Sequence, residues 1–184
     1  MSNQDASRFA GSAHSPIGAP SSRLTIKQMQ AHLDELAAET GVRLETWDGV
    51  PEATARLVTT DHGLPAVIYN KPLRNRHQYL SGLHEFGHYI VGVRGRNRAY
   101  GLRPEHLVDE VAAWVWAFDN SRVEITETLR VNVADTLFTY ADDAGANSGN
   151  DYYGIDAVPD DLRAEYVAGL VRLGAISIDP EGGE

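Results

Sequence analysis

Residues 83–90 read Leu-His-Glu-Phe-Gly-His-Tyr-Ile, two histidines four positions apart with a glutamate directly after the first. On an α-helix four residues is a little over one turn, so His84 and His88 project from the same face. Glu85 sits about 100° further round, near enough to act on an atom held by the pair but outside the ligand position. This is the H-E-x-x-H arrangement, in which two imidazoles hold zinc and the glutamate is general base for the water the metal activates. Leu80, Leu83, Ile90 and Val91 give the segment an apolar side, which puts the pair at a core boundary. The plainer reading is two half-buried, hydrogen-bonded histidines beside a solvent-facing Glu85. Against it, two imidazoles and a placed acid on one apolar helix are costly to bury without a partner. Gly87, between the histidines, costs about 1 kcal/mol relative to Ala in a helix. That cost makes sense if another element, or the site itself, approaches the backbone there.

A catalytic zinc site takes three protein ligands and leaves one position open. The third is expected downstream, on another element. Glu110 is the favoured candidate, in the segment Glu-Val-Ala-Ala-Trp-Val-Trp-Ala at 110–117. Glu110, Ala113 and Ala117 share a helical face, and the alanines allow close approach to the histidine helix. A carboxylate on so apolar a helix is expensive unless a cation compensates it. Asp109 is a rival one residue earlier. His106, at i−4 from Glu110, shares its face and is a candidate ligand, ligand support or transition-state donor. Tyr69, Tyr100 and His106 are the candidate donors to a developing oxyanion, each equally readable as an ordinary packed or surface residue.

Around these segments the chain reads as an α+β fold: a helix, a small sheet, then a helical half. Residues 1–22, rich in Ser, Ala, Gly and Pro, read as a disordered arm. A helix is expected over 25–40, ending at Gly41, and candidate strands over 42–48, 55–60 and 64–70. Asp61-His62-Gly63 reads as a hairpin turn, which makes the sheet mostly antiparallel. The histidine helix is expected over 73–93, with further helices over 104–118, 123–142 and 159–173 and a short strand at Ala175–Asp179. Residues 23–120 then form the core, and 121–184 a helical continuation of the same domain. The Gly/Asn-rich loop at 144–154 is too irregular for a calcium loop. Ala66–Asn70, just before the histidine helix, is read either as a core strand or as a sheet edge open to an extended peptide. Trp47, Trp114 and Trp116 are expected in the core or at its rim. Arg94, Arg96 and Arg98 are expected on a loop.

Bulk properties narrow the chemistry. The 184 residues are 42% hydrophobic with a formal net charge of −10, which argues against a broad nucleic-acid footprint. Cysteine is absent, which removes disulfides, thiolate ligands and a cysteine nucleophile. No signal pattern opens the chain, and no apolar run approaches the roughly 20 residues needed to span a bilayer. The expectation is a soluble cytoplasmic protein.

The segment His84–His88, the arginines Arg74 and Arg76 before it, and the later pattern Glu110, Ala113, Trp116, Ala117 together resemble the ImmA/IrrE family of HExxH metallopeptidases. The likeness covers roughly residues 25–120. It implies a zincin-like core with His84, His88 and Glu110 as zinc ligands and Glu85 as catalytic base. It further implies a phage- or mobile-element-associated protease that cleaves a transcriptional repressor. The alternative is a zinc-containing regulatory protein that acts by association, such as an anti-repressor or toxin–antitoxin component.

Overall fold

The computed structural model describes residues 24–47, 55–58, 66–91 and 103–177. Thr25 opens the first helix, α1 (Ile26–Thr40), through a capping box with Gln28, and Gly41 closes it in the left-handed region at φ 72°. Three short strands follow: β1 (Arg43–Thr46), β2 (Ala55–Val58) and β3 (Val67–Asn70). Among the described residues four α-helices follow, α2 (Arg76–Ile90), α3 (Pro104–Asp119), α4 (Glu127–Asp143) and α5 (Asp160–Leu173), with a short 3-10 turn at Ile155–Ala157 before the last. The α+β expectation holds.

The sheet departs from expectation. Its order is β1-β3-β2, with β1 parallel and β2 antiparallel to β3, so it is mixed rather than mostly antiparallel. Strand β3 has a partner on each side, so the segment Ala66–Asn70 is not an edge open to a peptide. Alternating side chains identify a strand but not its neighbours, and the β1–β3 pairing joins segments separated by all of β2. The expected turn at 61–63 lies outside the described residues, as do the 1–22 arm and Arg94, Arg96 and Arg98.

Helix α2 is the central element. Tyr79 to Leu83, Phe86 and Gly87 are buried with the two histidines, leaving little of the helix to solvent. Its start is fixed later than hydrophobic spacing suggests, because the Asn75 side chain accepts the Gln78 amide at 2.9 Å. Leu80, Leu83 and Phe86 join Met29, Leu33 and Ile68 in one core with Leu107, Val111 and Trp114. Helix α4 begins at Glu127, not 123. Ser121 ties the preceding connector, accepting the Val123 amide and donating to the Val123 carbonyl, while Val123 is still buried. Ala175–Ser177 form no strand, and the remainder of that expected strand lies outside the described residues. Trp114 is buried and Trp116 half-buried, whereas Trp47 is 48% exposed and lies edge-on to Tyr69. Among the described residues no helix is long and apolar enough to cross a membrane.

Candidate metal centre

The site starts from the contact between α2 and α3. A Cβ built at Gly87 would lie 2.6 Å from the Ala113 carbonyl oxygen and 3.0 Å from its Cα. Only glycine lets the two backbones come this close, which accounts for a helix-weakening residue between the histidines. At this separation Glu110, one turn before Ala113 on α3, reaches the histidine face of α2.

The result is a tight triangle. His84 Nε2 and His88 Nε2 are 2.9 Å apart, and each is 3.2 Å from Glu110 Oε2. All three residues are buried, Glu110 to 1% exposure. Among the described residues they form a group whose donor atoms are close enough to hold a metal ion. Zinc with ligands at about 2.0–2.1 Å in tetrahedral geometry has ligand–ligand edges of about 3.3 Å, close to this triangle.

Electrostatics agree with a cation at the centre. Burial, reinforced by neighbouring His88, lowers the His84 pKa against the pull of Glu110, so its ring is neutral at pH 7. Burial would raise the Glu110 pKa, but the hydrogen bonds from His84 and His88 outweigh it and hold the carboxyl well below its usual range. A neutral imidazole and an ionised carboxylate in a water-poor interior are the protonation states a metal requires. Without a cation, that buried negative charge is costly. The donor set, two imidazoles and a carboxylate, fits a divalent metal ion.

The rings are held largely by packing. Trp114, four residues after Glu110 on α3, stacks on His84 with centroids 4.3 Å apart and planes at 27°. His84 Nδ1 has no hydrogen-bond partner, so this stack takes the orienting part that a bond to the second ring nitrogen usually plays. Helical phase places Trp114 with Glu110, a signal available from sequence, yet its contact with His84 was not foreseen.

The rival positions resolve differently. Asp109 is half-buried and lies outside the converging group. His106 is buried, and its Nδ1 accepts the Arg103 amide at 3.1 Å, so it helps close the start of α3. Tyr69 is half-buried against Trp47, and Tyr100 lies outside the described residues. Glu85 is half-buried, and its Oε2 accepts the Leu57 amide of β2 at 2.7 Å, a contact the sequence did not suggest. A groove lined by Val108, Val111, Val115 and Gly169 runs between α3 and α5 and includes none of the cluster residues. No family model, curated protein or solved structure matches the chain.

Proposed function

We infer that the protein is a zinc-dependent peptidase that hydrolyses a peptide bond in a specific intracellular protein. The observation that carries this reading is the buried convergence of His84 Nε2, His88 Nε2 and Glu110 Oε2, with Glu85 next to His84 on the same helix. Three protein ligands leave a position open, unlike the closed four-ligand shell of a structural zinc site. The resemblance to ImmA/IrrE metallopeptidases adds the substrate class, a transcriptional repressor, and a phage or mobile-element setting.

His84, His88 and Glu110 would hold the ion, which supplies an acidified water and a Lewis acid for the peptide carbonyl. Glu85 takes the proton from the attacking water and delivers it to the leaving nitrogen. Trp114 keeps the His84 ring in place and its surroundings apolar, which strengthens electrostatic interactions in the site. His106 is a candidate donor to the oxyanion: with Nδ1 accepting the Arg103 amide, the proton of its neutral ring sits on Nε2.

Elemental analysis of purified protein tests the first step. Wild type is expected to carry one zinc per chain, and His84→Ala and Glu110→Ala to lose it, with affinity down by about a hundredfold or more. Zinc-free wild type that takes up no zinc on titration would remove the peptidase reading. Glu85→Gln is expected to keep zinc and lose cleavage of a co-expressed repressor. If that variant retains the biological effect, the protein acts by association.

A further inference from the structure

Among the described residues strand β2 is an outer strand of the sheet, and its middle carries an amide that the ladder does not use. Leu57 pairs with Ile68 across the antiparallel β2–β3 ladder, yet its N–H goes to Glu85 Oε2 at 2.7 Å. In such ladders alternate residues turn their amides outward, so Leu57 sits at a non-hydrogen-bonded position facing α2. Outward amides on an edge strand are the donors that an extended chain pairs with. One N–H makes one good hydrogen bond. Glu85 and a peptide laid along β2 therefore compete for the same donor.

We propose that the Leu57 amide is a shared donor that couples occupancy of the β2 edge to the freedom of Glu85. With the edge unpaired, the amide holds the Glu85 carboxylate against the strand. When a main-chain carbonyl of a bound peptide takes that amide, Glu85 is released to accept a proton from water at the His84–His88–Glu110 triangle. Leu57 is thus a positioning residue that acts through its backbone. The bond itself is independent of the peptidase reading; the consequence of releasing Glu85 rests on it.

The first arm of the test is amide hydrogen exchange in full-length, ¹⁵N-labelled protein. Exchange at Leu57 should speed up about fivefold or more in Glu85→Ala, while Arg56 and Val58, whose amides face β3, stay unchanged. Equal rates in wild type and variant would overturn the proposal. The second arm uses zinc-loaded protein and two probes, acetohydroxamate and acetyl-Leu-Leu-hydroxamate. The ratio of their affinities isolates the peptide portion from the zinc-binding group. That ratio should shift toward the peptide probe about fivefold in Glu85→Ala, where nothing competes for the amide. It should shift the other way in Leu57→Pro, which lacks the outward N–H but leaves the β3 ladder intact. A ratio unmoved in both variants sinks the coupling while leaving the zinc site standing. Failure of wild type to take up zinc is a different outcome: it removes the peptidase reading, and the release of Glu85 with it.

Discussion

Helix α2 takes part in two buried histidine clusters, built on opposite principles. At Tyr79 the phenol oxygen lies 2.7 Å from His32 Nδ1 and accepts the Arg122 amide at 3.1 Å, so it donates its proton to the histidine. Burial, with the Arg122 charge adding to it, lowers the His32 pKa to about 4, and the ring is neutral. At this junction of α1, α2 and the α3–α4 connector the phenol is matched on both sides, donating to His32 and accepting from Arg122. At His84 and His88, by contrast, two imidazole nitrogens and a carboxylate oxygen point at one another. Complementary polar burial joins elements; convergent electron-rich atoms call for a cation. The two clusters are expected to respond to different perturbations.

The largest separation between them is expected from Gly87→Ala. The new methyl overlaps the Ala113 backbone, so α3 must move away and carry Glu110 with it. Overpacking of this kind costs about 1–3 kcal/mol, more than the roughly 1 kcal/mol of helix propensity that alanine returns. Zinc affinity should fall about tenfold or more, since a displaced ligand weakens the site directly. Gly82→Ala is the control, because the atoms nearest its methyl belong to the side chains of Leu33 and Asn70 and not to backbone. Urea unfolding and zinc titration of both variants decide the matter. Unchanged zinc affinity in Gly87→Ala would show that helix spacing does not set the site.

The same contrast explains what the sequence could and could not convey. His84, His88 and Glu85 follow from helical phase alone, and the glycine between the histidines pointed to a close approach by another element. The sequence also nominated Glu110, with Asp109 and His106 as rivals within little more than one turn of helix. Only the roll of α3 against α2 brings Glu110 in and leaves His106 to accept the Arg103 amide. The order of the strands was hidden, because alternation encodes a face and not a partner. So was the exposure of Trp47, since a large aromatic beside a strand carries no mark of which layer covers it. The Leu57–Glu85 bond involves a backbone donor, and no side-chain pattern records where an amide points.

Tyr79→Phe breaks the other cluster. It removes the donor to His32 and the acceptor for the Arg122 amide while keeping the buried ring. The expected cost is about 2 kcal/mol, from two buried groups left without partners. Zinc stoichiometry and affinity should stay at wild-type values. Loss of zinc in this variant would mean that the two clusters are one cooperative unit, and the contrast drawn between them would fail.

The smallest effect is expected from pH, and its direction follows from His32. A pKa of about 4 in the folded protein lies below the ordinary value of 6.5, so the unfolded chain binds more protons in the window between them. Stability from this group is complete above pH 6.5 and is lost as pH falls toward 4. The full shift would remove about 2 kcal/mol between pH 7.5 and 5. Water around the partly exposed Arg122 and Glu35 side chains screens part of it, leaving about 1–2 kcal/mol. His84 and Glu110, whose pKa values are also lowered, add acid sensitivity of the same sign in zinc-free protein. The informative quantity is therefore the difference between wild type and His32→Gln, measured by urea unfolding of zinc-free protein at both pH values. A shallower pH slope in the variant assigns that share to the His32–Tyr79 cluster. Equal slopes would show that His32 contributes nothing to the acid response, leaving it to the His84–His88–Glu110 triangle and to His77, whose pKa burial also lowers.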